Sequence, residues 1–210
     1  SVLSICQDHI GFMWFGTRNG LCRFDGKSFR TYRRSELPGA LGNDHISTIF
    51  QGPNNELWIG TDCGLYIYSP ISDSFRLLNE KANDGTTITG TVNIIVSNKK
   101  KIYIASLGQG VFVYDIASKK LVHHALKDTP AIMSMAIGDN DTVWVGCFQS
   151  GLHYTQDNFA HILAYKDAQN NYILKKHSIT GIVIKGQDLF FSSSTNGLHK
   201  LHFPSRTVSS

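Results

Sequence analysis

Nine histidines and four cysteines are the residues of this 210-residue chain that could hold a metal, and their spacing decides the matter. His199 and His202 stand three apart and His123 and His124 are adjacent, the nearest approaches to a ligand pair. Cys6, Cys22, Cys63 and Cys147 are 16, 41 and 84 residues apart, with no C-x-x-C pair and no zinc-site spacing. They read as free or buried thiols, not as a disulfide framework. No metal site and no cofactor is expected.

Catalytic sets are equally hard to assemble. Gly108-Gln109-Gly110 resembles the start of a dinucleotide loop, but no helical pattern follows, so it reads as a turn between strands. Asn140-Asp141-Thr142 fits an N-glycosylation sequon and Asp139-Asn140-Asp141 a fragment of a calcium loop, yet so short a turn supplies too few oxygens for the ion. Most of the 16 acidic residues fall in turns, where they serve solubility and turn formation. No Ser/His/Asp set and no carboxylate pair emerges, and Asp8, Gly11 and Trp14 are wrongly spaced for the Asp box of propeller glycosidases. No catalytic residue is nominated, and the segment is not expected to be an enzyme.

The elements that would position any site are set by composition and repeat. With 41% hydrophobic and 17% charged residues the chain can bury a core, and it is neither disordered nor fibrous. A net charge of +4, with Lys and Arg scattered, calls for no nucleic acid partner. Its one tight basic run, Lys99-Lys100-Lys101, falls where a hairpin turn is expected. No apolar stretch approaches the roughly 18 to 20 residues that cross a bilayer, and the opening residues are not a charged-then-apolar leader. Because the chain opens inside a strand pattern, it is expected to be a piece of a longer protein.

Self-similarity fixes the architecture. Met13-Trp14-Phe15-Gly16-Thr17-Arg18-Asn19-Gly20-Leu21 aligns without a gap on Leu57-Trp58-Ile59-Gly60-Thr61-Asp62-Cys63-Gly64-Leu65. Three weaker copies follow, with Tyr103, Trp144 and Phe190 in the aromatic slot. Successive slots are 44, 45, 41 and 46 residues apart, the period of a four-stranded β-propeller blade. Before each stands an apolar, β-branched run expected to be the innermost strand: 2–5, 45–50, 91–96, 132–137 and 179–184. A third strand opens at Gly20, Gly64, Gly110, Gly151 or Gly197, and fourth strands are expected at 28–32, 74–78, 121–124 and 161–165, with a last one near 207–210.

The fold class is therefore all-β, a propeller segment of about five blades at 1–40, 41–86, 87–128, 129–168 and 169–210. A blade is apolar on both faces and buries them by stacking on its neighbours. The small residue two places after the aromatic (Gly16, Gly60, Ala105, Gly146, Ser192) would then let a neighbouring backbone approach. His153 and His199 share the slot of Cys22, Tyr66 and Phe112, which makes them third-strand packing residues and not ligands.

The best candidate surface is the set of loops at one mouth of the ring, joining second to third strands and fourth strands to the next blade. These carry Arg18, Asn19, Asp62, Gln109, Phe148, Gln149 and Asn196, polar groups with an aromatic that suit a sugar or a peptide.

The segment 13–29 and the segment 57–68 resemble the two-component regulator propeller repeat, and 2–11 is similar to the run opening the first blade of the sensor region in hybrid two-component systems of gut Bacteroidetes. The resemblance weakens along the chain, with Ala105-Ser106 and Ser192-Ser193 in place of Gly-Thr. It implies a periplasmic sensor of two seven-bladed propellers, then a β-sandwich, a membrane helix, a histidine kinase and a response regulator. Such sensors recognise oligosaccharides and switch on glycan-utilisation genes. The expected partners are thus an oligosaccharide, the remaining blades and second propeller of the same protein, and a second copy in a homodimer. Since the motif is structural, it assigns no binding residue. A propeller lyase or glycosidase and a protein-interaction scaffold are the alternative readings. A seven-bladed ring of this period needs about 308 residues, so an open arc with two uncovered faces is expected.

Overall fold

In the computed structural model, residues 1–126 and 131–209 are described. They form two compact units, Ser1–His123 and His124–Ser210. The first holds three four-stranded antiparallel sheets: β1 to β4 (Val2–Gln7, Met13–Thr17, Gly20–Phe24, Phe29–Tyr32), β5 to β8 (Ile46–Gln51, Leu57–Thr61, Gly64–Ser69, Ser74–Leu77) and β9 to β12 (Val92–Ser97, Lys101–Ser106, Gly110–Asp115, Leu121–His124). The last of these strands ends one residue beyond the first unit's boundary. The second holds β13 to β16 (Ile132–Ile137, Val143–Cys147, Gly151–Thr155, Leu163–Ala164) and β17 to β20 (Ile179–Lys185, Asp188–Ser193, Gly197–His202, Thr207–Ser209). Each sheet runs in chain order, which is the blade of a β-propeller. The expected boundary between third and fourth blades, at 128/129, lies outside the described residues, as does Ser210.

Every innermost strand carries an irregularity at the same place. The register slips between Val2 and Ser4, between Ile46 and Thr48, between Ile132 and Ser134 and between Ile179 and Gly181, opposite the small-residue slot. Such a bulge turns the strand and frees a backbone or side-chain group to bond outside its own sheet. Ser47 uses that freedom, its hydroxyl donating to the Val92 carbonyl of the next blade at 2.5 Å, and Ser134 does the same to Ile179 at 3.1 Å. The Ile49 amide in turn donates to Ser4 Oγ at 3.0 Å, so the first three blades are joined along their inner edge.

The small slot is what permits this approach. A methyl at Gly60 would lie 2.5 Å from the Val92 carbonyl oxygen, and one at Gly146 would lie 2.7 Å from that of Ile179. Beside it, the aromatic slot fills the space between blades. The rings of Trp14 and Tyr68 meet edge-on at 4.9 Å, and those of Trp58 and Tyr114 at 5.2 Å. Trp14, Trp58, Tyr103 and Trp144 are buried.

Burial also shows which faces are covered. β6 is buried at all five positions, as a blade stacked on both sides should be, whereas β2 and β18 alternate between buried and half-buried. Phe190, placed in the core from its slot, is accordingly only half-buried, while Phe191 on the opposite face is 1% exposed. On the first blade Val2, Leu3, Ile5 and Phe29 are exposed, with Phe29 stacked on Phe24 at 4.7 Å.

The fourth strand of the fourth blade is shorter than expected. Instead of 161–165, only Leu163–Ala164 pairs, because the preceding segment is wound around Asp157. Its carboxylate accepts the His161 amide at 3.0 Å and the Thr155 hydroxyl at 2.9 Å, and Phe159 is drawn into the core at 1% exposure. That arrangement lifts His161 out of the ladder.

All four cysteines are free. Burial pushes the Cys147 thiol up to about 12, whereas Cys63 is exposed. A thiol reagent at mildly alkaline pH should modify Cys63 rapidly and reach Cys147 only after unfolding, as peptide mapping would show. Gly60→Ala should destabilise the chain by about 1–3 kcal/mol in urea unfolding, since the added methyl meets a backbone carbonyl that cannot step aside.

Candidate functional site

In a four-stranded antiparallel blade the turn between strands two and three lies at the same end as the connection to the next blade. Both therefore share the end that carries the candidate loop residues. Glycine opens each third strand for a backbone reason: Gly20 and Gly64 have φ of +101° and +97°, a conformation side-chain-bearing residues rarely adopt. Their amides are taken by the neighbouring connection, Gly20 by the Asp44 carbonyl at 2.7 Å and Gly64 by that of Gly90 at 3.1 Å.

Within the first unit the candidate residues divide into two groups. Arg18 is exposed and without a side-chain partner among the described residues, and the neighbouring Asn19 Oδ1 accepts from the Arg33 guanidinium. Asp62 and Gln109 instead converge on the connection at 87–91. Asp62 Oδ1 lies 3.0 Å from His45 Nδ1 and accepts the Thr91 hydroxyl at 3.5 Å. Gln109 Oε1 accepts the Thr89 and Gly90 amides at 3.0 and 2.6 Å and the Ser106 hydroxyl at 3.1 Å, while its Nε2 donates to the Thr87 carbonyl at 3.0 Å. The Gln109 side chain is thus a bracket that closes the loop, with its amide group engaged at both ends.

His123, which the sequence offered only as half of a weak ligand pair, completes this bracket. Its Nδ1 lies 2.7 Å from Asp84 Oδ2 and its Nε2 2.6 Å from the Gln109 carbonyl oxygen, and its ring stacks on Phe112 at 4.5 Å. The His123 ring and the Thr86 amide hold the Asp84 carboxyl well below the usual carboxylate range. Asp84 and His123 are 39 residues apart and share no local motif, so the pair is legible only from the fold.

In the second unit, Phe148 is 48% exposed and its amide donates to the Ala131 carbonyl at 2.8 Å. Gln149 is exposed with φ of +49°, its amide donating to Ser178 Oγ at 3.1 Å. Asn196 is also exposed, its amide 3.3 Å from Ser193 Oγ, and the adjacent Thr195 hydroxyl lies 2.8 Å from His177 Nδ1. Free side-chain chemistry in these turns therefore rests with Arg18 in the first unit and with Phe148, Gln149 and Asn196 in the second. His153 and His199 are each 8% exposed, and His199 stacks on Phe191 at 5.2 Å. Among the described residues no three His, Cys, Asp or Glu side chains gather where a metal ion could sit.

The blades and their loop-bearing end define a β-propeller. Residues 1–19 and 40–63 match the family model described as two component regulator propeller. Over 35 residues, 17% of this chain and 3% of the relative, it is 54% identical to Histidine kinase P4 of Formosa agariphila. Among solved structures it is similar to the extracellular domain of BT3049 from B. thetaiotaomicron, a candidate hybrid two component system. That likeness has a TM-score of 0.70 at 22% identity and covers 97% of this chain and 34% of that one. It is also similar to PorZ of Porphyromonas gingivalis, an essential surface component of the type-IX secretion system, with a TM-score of 0.75 at 16% identity over 100% of this chain and 33% of that one. The chain spans about a third of the length of these structures.

Gln109→Ala should cost about 1–3 kcal/mol and expose the Thr89 and Gly90 amides to rapid hydrogen exchange, whereas Arg18→Ala should change stability by no more than about 0.5 kcal/mol. The depressed Asp84 carboxyl contributes stability that is complete above its unfolded value and is lost as pH falls through its lower folded value. Exchange at 84–91 should accordingly speed up below the ordinary carboxylate range, and Asp84→Asn should remove that pH dependence.

Proposed function

We propose that this chain is a ligand-sensing, extracytoplasmic propeller segment of a hybrid two-component histidine kinase and response regulator, lying in the periplasm, whose parent detects oligosaccharides and controls glycan-utilisation genes. The observation that carries the reading is the match of residues 1–19 and 40–63 to the two component regulator propeller. The stretch shared with a histidine kinase supports it. In this reading the segment binds and does not catalyse; the phosphoryl chemistry belongs to other parts of the parent.

Binding would use the loop-bearing ends of the blades. The Arg18 guanidinium offers a planar set of donors to ring hydroxyls, and the half-exposed Phe148 ring offers a stacking face. The exposed apolar side chains of the first blade, Val2, Leu3, Ile5 and Phe29, suit cover by further blades of the parent. Signalling would follow from a ligand that binds one arrangement of a sensor homodimer better than the other. A protein-interaction scaffold is the second reading, and the same exposed face of the first blade is what favours it.

A full-length parent coupled to a transcriptional reporter, exposed to a panel of oligosaccharides, should respond to at least one of them. Arg18→Ala and Phe148→Ala, tested separately, should each raise the half-maximal concentration about tenfold, the effect of losing roughly 1.4 kcal/mol of binding. A parent that ignores every oligosaccharide, or variants that respond like the wild type, would overturn the reading.

A further inference from the structure

His123 stands between two groups that can only accept. Its Nδ1 lies 2.7 Å from Asp84 Oδ2 and its Nε2 lies 2.6 Å from the Gln109 carbonyl oxygen. A backbone carbonyl has no proton to give. Asp84 has none either, because its carboxyl, held well below the usual carboxylate range by the His123 ring and the Thr86 amide, is ionised at neutral pH. A neutral imidazole carries one N–H and one lone pair, so it can donate to only one of these oxygens and turns its lone pair on the other. Only the doubly protonated ring satisfies both.

The ring is also fixed in place. Its side chain is 7% exposed and stacks on Phe112 at 4.5 Å, and the His123 amide donates to Asn83 Oδ1 at 2.8 Å. Asp84, on the connection ahead of β9, is the charged group that faces it. β11 presents the Phe112 ring, the turn before β11 presents the Gln109 carbonyl, and His124 alternates to the other face of β12. Gln109 links the ring to the connection, since its side chain holds the Thr87 carbonyl and the Thr89 and Gly90 amides. The far end of that connection, at Thr91, is reached by Asp62 with His45 beside it.

We infer that His123 is a proton-operated latch on the 84–91 connection: doubly protonated it ties Asp84 to Gln109, and loss of one ring proton to solvent water breaks one of the two bonds and loosens the connection. Its contribution is present while the ring holds both protons and is lost as pH rises through the range in which histidines change charge, roughly pH 5 to 8. Together with the acid-side loss through Asp84, this leaves a window of pH in which the connection is closed. The latch lies wholly within the first unit and stands whether or not the sensing reading does.

The test is amide hydrogen exchange of the ¹⁵N-labelled 210-residue chain at about pH 5.5 and about pH 8.5, expressed as protection relative to an unfolded chain at the same pH. Protection of the Thr89 and Gly90 amides should fall about tenfold over that interval, in step with the loss of the second proton from the His123 ring read by its own ¹⁵N signals. The Gly20 amide, held by the Asp44 carbonyl in the first blade, should keep its protection. In Asp84→Asn the amide group can donate to a neutral His123 Nδ1 while Nε2 still donates to Gln109, so the alkaline loss should disappear although His45 and Asp62 remain. His123→Gln, which does not titrate, should give low protection that is flat across the interval. Wild-type protection that does not change, a fall shared by Gly20, or the same fall in either variant would overturn the proposal.

Discussion

Everything in the first unit depends on how closely one blade's innermost strand can approach the second strand of the blade before it. The Gly60 backbone lies against the Val92 carbonyl with no room for a methyl between them, and Gly146 repeats that contact with Ile179 in the second unit. Because the approach is backbone to backbone, it is insensitive to side-chain flexibility and sets the spacing of the rest. The bulge in each inner strand, the hydroxyl bonds of Ser47 and Ser134 and the edge-on aromatic pairs all occupy that spacing. A blade that is apolar on both faces gains little alone, so the energy of the fold resides mainly between blades.

The same geometry explains where chemistry is available. Strands are committed to stacking on both faces, which leaves the turns at the two ends. At the loop-bearing end, part of the polar chemistry is itself structural. Gln109, His123 and Asp84 spend their hydrogen bonds on closing the connection before the third blade, and Asp62 shares in holding it. What stays open to a ligand is a smaller set around Arg18 in one unit and Phe148 in the other. At the opposite end, Gly52 stands in the second blade where the first has Asp8, so the buried Trp58 indole nitrogen lacks the acceptor that Trp14 has.

Most of the architecture was legible because the repeat records it twice over, in the aromatic slot and in the small residue two places on. The innermost strands at 132–137 and the fourth strand at 121–124 coincide with the observed ones for that reason. Departures occur where a local bond competes with the pattern or where a neighbour is needed to interpret it. Asp157 winds 156–161 into a turn that periodicity does not register, and Phe190 is half-buried because its face of the sheet is uncovered. The candidate site was less legible. Gln109 has the composition of a free loop residue, and only its three bonds to the distant Thr87, Thr89 and Gly90 reveal a bracket. The unpaired Trp58 indole was in principle readable from setting Gly52 against Asp8, but only the fold shows that each position faces the indole of its own blade.

If inter-blade approach is what stabilises the first unit, its blades should not open one at a time. Native-state hydrogen exchange resolved by residue measures this directly, comparing inner-strand amides of β1, β5 and β9 across increasing denaturant. A single shared opening free energy for the three strands, equal to that of unfolding the unit, is the predicted result. Three separate opening energies, each well below the global value and each confined to one blade, would contradict the account.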